Sequence, residues 1–127
     1  MNTFADLAEI LMRVRHADGS WSARPIWVVV VDDEAYVRSA FGPRGSWYRR
    51  VRAGAVTEIA AAGLILSVRL EPVEDPALVQ RVSDGYRVKY ALGWPGPAET
   101  MAGSEPAGTT MRLRASADLG QVPELLS

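Results

Sequence analysis

The apolar positions of the chain beat mostly in twos, with two stretches in threes and fours. Thr3 and Asp6 have the form of a capping box, and Phe4, Leu7, Ile10, Leu11 and Val14 then recur at helical steps, which predicts a first helix over about residues 3–12. Asp18-Gly19 lies between Arg13-Val14-Arg15-His16 and Ser20-Trp21-Ser22 and predicts a hairpin with a two-residue turn. Residues 25–31, Pro-Ile-Trp-Val-Val-Val-Val, are apolar throughout and predict one strand buried on both faces at the centre of a sheet. Asp32-Asp33 interrupts it before a strand over residues 34–39, and Gly42-Pro43-Arg44-Gly45 reads as a turn.

In the second half, Ser46 can cap a short helix through Trp47 to Val51, and Gly54 frees the backbone for a new direction. Strands over about 55–60 and 64–70, separated by Ala61-Ala62-Gly63, are expected to pair antiparallel. Asp75-Pro76 supplies an N-cap followed by a proline at the first helical position, and predicts a helix over 76–90 with Leu78, Val79, Val82, Tyr86 and Tyr90 on its apolar face. Gly93-Trp94-Pro95-Gly96-Pro97 reads as irregular, a loop or lid, and residues 109–114 as the last strand. The expected architecture is α+β and mostly antiparallel. It forms one domain over residues 1–114, with a tail over 115–127.

Composition narrows the chemistry. With 127 residues and 48% hydrophobic composition the chain has the makings of one packed globule. The absence of cysteine, with a single histidine, His16, excludes disulfides, thiol nucleophiles, Cys/His zinc sites and iron–sulfur clusters built from this chain. A net charge of -1 argues against nucleic acid as a partner. No apolar run reaches the roughly 18 to 20 residues that span a bilayer, so no membrane role and a cytoplasmic location are expected.

The charge is unevenly placed. Between Ala35 and Thr57 stand Arg38, Arg44, Arg49, Arg50 and Arg52 with no acid, which leaves the rest of the chain at -6. Guanidinium groups beside a glycine-bearing loop can grip phosphate or carboxylate by paired hydrogen bonds, with the start of the helix at Ser46 adding backbone donors. The competing reading is ion pairing or a solvated face. Trp27, Tyr36, Phe41, Tyr86 and Trp94 are candidates for an apolar ligand pocket, against core packing, and Trp47-Tyr48 adjoins the arginines. Tyr48 is the candidate proton or hydrogen-bond donor. His16 and Asp18 lack a serine in a nucleophile-elbow context, and Asp32-Asp33-Glu34 reads as a solvated hairpin tip rather than a metal site.

Residues 25–31, Tyr36-Val37-Arg38-Ser39, Gly42-Pro43, Gly45 and Trp47-Tyr48-Arg49, followed in order by Glu71-Pro72-Val73, Asp75-Pro76, Tyr86 to Tyr90 and Thr109 to Leu113, resemble the DUF2255 family. That family is similar to the flavin-binding split β-barrel superfamily, which includes pyridoxamine phosphate oxidases and deazaflavin-dependent reductases. The resemblance implies a small antiparallel split barrel with helices outside, a homodimer, and FMN or a deazaflavin as cofactor. It also implies Arg24, Arg38, Ser39, Arg44 and Arg49 as phosphate contacts, and Trp47 and Tyr48 as ring or substrate contacts. Where the deazaflavin enzymes have Asn after Trp-Tyr, this chain has Arg49. The function expected is an FMN- or deazaflavin-dependent oxidoreductase acting on an apolar or anionic small molecule. The alternatives are a cofactor-independent cyclase or isomerase of natural-product biosynthesis, and a non-catalytic small-molecule-binding protein.

Overall fold

A computed structural model describes residues 7–90 and 92–115. Strands β1 (Ile10–Arg15), β2 (Trp21–Ile26), β3 (Val28–Val31), β4 (Glu34–Val37), β5 (Thr57–Ala61), β6 (Leu64–Pro72) and β7 (Met111–Ala115) form one antiparallel sheet in the order β2-β1-β5-β6-β7-β4-β3. Helix α1 (Ser46–Arg52) follows a 3-10 turn at Gly42–Arg44, and α2 (Pro76–Tyr90), α3 (Pro95–Met101) and α4 (Ser104–Ala107) lie between β6 and β7.

Strand order dictates the shape. β2 and β3 are the two edges of the sheet, yet only Trp27 separates them in sequence. Two peptide units span at most about 7.6 Å, whereas seven strands laid flat would hold the edges about 29 Å apart. The sheet therefore curls until its edges meet at Trp27, which makes a half-barrel. This corrects the expectation of one central strand over residues 25–31: the apolar run is two edge strands joined at a corner.

The run is nonetheless buried on both sides. Val28, Ala35 and Val37 point into the barrel with Ile10, Met12, Val14, Ile59 and Met111, and Trp47 of α1 closes that core. Val29 and Tyr36 point the other way, into a second core formed with Leu78, Val82, Tyr86 and Tyr90 of α2 and with Ala98 and Met101 of α3. β3 thus lies between two cores, and its alternate residues are apolar for different reasons. At the start of β3 the free backbone edge is covered by side chains at Val28. The Tyr90 hydroxyl accepts from the Val28 N–H at 3.2 Å and lies 2.9 Å from the Val28 carbonyl and 2.7 Å from that of Ala8, while the Lys89 ammonium donates to the Val28 carbonyl at 2.6 Å. A covered edge offers no template for another strand.

Three turns come out as their sequences demand, with one change of type. Asp32 and Asp33 at φ 52° and 69°, and Ala62 and Gly63 at 52° and 80°, are two-residue turns of the left-handed kind that match strand twist. At residues 16–20 only Gly19 is left-handed, at φ 90°, and the Gly19 N–H bonds the His16 carbonyl. This loop is one residue longer than the two-residue turn expected, with Gly19 in the bulge.

Two further expectations fail. The first helix, over 3–12, has residues 3–6 outside the described residues, and from Ile10 the chain is strand: Ile10, Met12 and Val14 are buried while Leu11 is 41% exposed. The helical spacing also contained a period of two, and pairing with β2 and β5 selected it. The Gly93–Pro97 stretch is not irregular beyond Trp94, because Pro95 and Pro97 occupy the first turn of α3, where a missing N–H costs nothing. Of the tail expected over residues 115–127, Ala115 pairs with Val68 in β7, and residues 116–127 lie outside the described residues.

Tyr90→Phe keeps the ring that stacks on Trp27 but strips the hydroxyl from the β3 edge. We expect a loss of about 1–2 kcal/mol in urea unfolding, with the denaturant slope unchanged.

Candidate functional site

The corner at Trp27 opens a groove of about 590 Å³ between the barrel mouth and α3. Its walls are apolar: Pro25, Ile26 and Trp27 on one side, Phe41 and Trp47 on another, and Pro97 and Met101 of α3 on a third. Arg24, Arg38 and Glu9 are the charged side chains that line it among the described residues. The volume and the balance of aromatic wall to a few charges suit a small organic ligand.

Arg38 is the unusual member. It is 1% exposed and, among the described residues, pairs with no carboxylate. Its Nε donates to Thr110 Oγ1 at 2.9 Å, Nη1 to Ser83 Oγ at 2.9 Å and to the Met101 carbonyl at 2.8 Å, and Nη2 to the Val79 carbonyl at 2.8 Å. The guanidinium also stands over the Tyr86 ring, 5.4 Å from its centre. Four of five N–H groups are thus engaged. Burial draws the arginine below its ordinary pKa, yet a guanidinium stays protonated in proteins. The result is a buried positive charge held by dipoles alone, on the wall of a cavity.

Burial likewise raises the phenols behind the groove, Tyr86 far above its usual value and Tyr90 up to about 12, so both stay neutral at physiological pH. Trp27 stacks on Tyr90 with centroids 3.8 Å apart and planes 5° from parallel, and Trp94 tilts against Trp27 at 5.7 Å. This stack holds Trp27 at the groove wall.

The structure gathers Arg24, Arg38, Trp27, Phe41 and Trp47 at the groove and sends the other candidates elsewhere. Tyr36 and Tyr86 are fully buried in the second core. Trp94 backs Trp27 and is half exposed. Tyr48 follows Trp47 on a helix, so its side chain leaves about 100° away; it packs edge-on to Trp47 against the outside of the barrel core and does not line the groove. Arg49 is turned to the surface for the same reason, and exposed Arg44 pairs with Glu105 at 3.7 Å. The Ser39 hydroxyl is buried without a hydrogen-bond partner, wedged where a Cβ on Gly45 would come within 2.1 Å of it. Sequence reasoning missed the α3 wall, Pro97, Thr100 and Met101. The pattern Pro95 followed by Ala98 to Met101 carried a helix-start signal that two glycines and a second proline masked.

A sequence profile described as an uncharacterized protein conserved in bacteria, DUF2255, matches residues 1–113. The chain belongs to the DUF2255 family. No functionally curated protein matches this DUF2255 chain by sequence. Among solved structures, a conserved hypothetical protein of Mycobacterium tuberculosis superposes with TM-score 0.61 at 14% identity, over 91% of this chain and 76% of its own. A candidate pyridoxamine 5′-phosphate oxidase of Lactobacillus delbrueckii gives 0.54 at 16% identity, over 91% and 85%. A protein named as an F420 reductase gives 0.52 at 14% identity, over 91% and 93%. At these identities the likeness is one of fold.

Two substitutions test the groove's construction. Arg38→Met removes four hydrogen bonds that join β4, α2, α3 and β7, and should cost at least about 3 kcal/mol in equilibrium unfolding; Arg38→Lys, which keeps the charge but not the planar fork, should recover less than half of that. Gly45→Ala should destabilise by about 2 kcal/mol through the clash with Ser39, and Ser39→Ala in the same chain should restore most of it.

Proposed function

We propose that the groove binds a flat, anionic cofactor of the FMN or deazaflavin type and that the protein is an oxidoreductase on a small molecule. The observation that carries this reading is Arg38, a buried cation with no carboxylate partner among the described residues, on the wall of a cavity faced with Trp27 and Trp47. Such a charge gains most from an anionic ligand that brings the missing counter-charge into a site already shielded from water. Arg24, exposed at the same wall, adds a second cation. The residues present therefore fit a ring system carrying a phosphate, although the arginines of the sequence cluster beyond Arg38 take no part.

When bound, the cofactor would supply the hydride chemistry. The chain's own groups would orient it: Trp27, Phe41 and Trp47 confine the ring, the buried Arg38 charge draws the anionic end toward its wall, and α3 excludes water from one side. Glu9 is the one carboxylate at the groove among the described residues, and it is the group placed to hold or release a proton there. The sparse supply of acid–base groups fits chemistry borne by a cofactor better than hydrolysis. The architecture shared with an F420 reductase and a candidate pyridoxamine phosphate oxidase supports the same reading. Phe41, at the groove, is 72% exposed, and Trp94, behind Trp27, is 50% exposed, which fits a homodimer whose second copy covers this face.

The test is an absorption spectrum of protein purified without added cofactor, followed by titration with FMN, riboflavin and F420. We expect saturable binding of a phosphate-bearing flavin or deazaflavin, weakened about tenfold by Arg24→Ala and by loss of the phosphate. A colourless protein that ignores all three overturns the redox reading and leaves the cofactor-independent cyclase, isomerase or binding protein.

A further inference from the structure

The arginine-rich stretch is not consumed by the groove. Arg49, Arg50 and Arg52 make up most of the last turns of α1. The β1–β2 hairpin is pinned beside them, because the Arg15 N–H donates to the Val56 carbonyl at 3.0 Å. This contact sets Arg15 and His16 across from Arg50 around an open depression of about 450 Å³, floored by the backbone from Ala53 to Val56. Arg49 and Arg50 border a second depression of about 390 Å³ together with Ser46. Arg50 thus stands between two adjoining hollows, each lined by another cation.

Several acids among the described residues are engaged elsewhere. Glu58 pairs with Arg13, Asp32 with Arg81, Asp84 and Glu99 with Arg87, and Glu71 with Arg114. Asp18, at the tip of the hairpin, accepts from the N–H and hydroxyl of Ser20. Among the described residues Arg15, Arg49, Arg50 and Arg52 enter no salt bridge. The helix dipole accounts for cations in the last turn of α1. It does not account for Arg15 and His16, which come from a different element, nor for the concavity they share with Arg50.

We propose that this surface is a second anion site, separate from the groove, that takes the pyrophosphate or polyphosphate portion of a small molecule, with one phosphoryl group on each side of Arg50. Paired N–H groups of guanidinium match phosphate oxygens two at a time, and two hollows sharing one arginine match a phosphoryl chain better than a single phosphate.

The test is calorimetric titration of the full-length protein at low ionic strength with inorganic phosphate, pyrophosphate and ADP. Pyrophosphate should bind one to one and about tenfold more tightly than phosphate, and Arg50→Ala and Arg15→Ala should each weaken it about tenfold. Arg49→Ala should act in the same direction, which keeps the test open if the half-buried Arg50 proves necessary for folding. Arg44→Ala, outside both hollows, and Arg24→Ala, in the groove, should leave pyrophosphate binding as it is. ADP equal to pyrophosphate would mean that the phosphoryl chain alone is read, and tighter ADP that a nucleoside carrier is read as well. Absence of saturable binding, equal affinity for phosphate and pyrophosphate, or unchanged affinity in the Arg15, Arg49 and Arg50 variants overturns the proposal. Because Arg24 lies in the groove and Arg15, Arg49 and Arg50 do not, the variants separate binding here from binding there.

Discussion

The arrangement hangs on one buried guanidinium. Arg38 leaves the end of β4 and reaches the hydroxyls of Ser83 and Thr110 and the carbonyls of Val79 and Met101, so a single side chain fixes α2, the end of α3 and the approach to β7. A charge in this position is expensive to desolvate, and it is tolerated because four dipoles converge on it. The same residue limits the groove, since α3 is the wall that Arg38 tethers through Met101. The residue that ties the helices to the sheet therefore also stands on the groove wall.

The second constraint is the corner at Trp27. Joining the two edge strands through one residue forces the sheet to curl, and the place where it turns is the place where it cannot fill itself. Trp27 is held there by its stack on Tyr90, whose hydroxyl closes the backbone edge of Val28. The groove is the gap between the mouth of the first core and the helices that cover the second. A ligand with a flat face and an anionic end meets, in one site, the aromatic corner and the buried cation.

The arginines divide by geometry. Residues 38, 44, 49, 50 and 52 are neighbours in sequence, but a strand end, a 3-10 turn and a seven-residue helix aim them at a core, an acidic partner and the open surface in turn. Charge counted along the chain marked one basic stretch. It did not say that the fold would bury Arg38 at the groove wall and leave Arg50 between two surface hollows.

Much of the fold was legible in the sequence because local signals agreed with the final pairing. Asp75-Pro76 opened α2, Asp32-Asp33 and Ala62-Gly63 marked tight turns, and the alternation of β5, β6 and β7 placed them in an antiparallel sheet. The family resemblance likewise rested on residues visible in order along the chain. What one dimension could not decide was direction and closure. Whether residues 25–31 were one strand or two depended on contacts with β1 on one side and β4 on the other, partners distant from each other until the sheet curls. Whether Ile10 began a strand or ended a helix depended on β2 and β5. Trp47 and Tyr48 differ by one position and about 100° of helix, and only packing against the barrel determined which ring met the groove. Sequence specified the chemical types at hand; tertiary structure decided which of them meet, because a side chain's neighbours are set by long-range pairing that the local pattern does not contain.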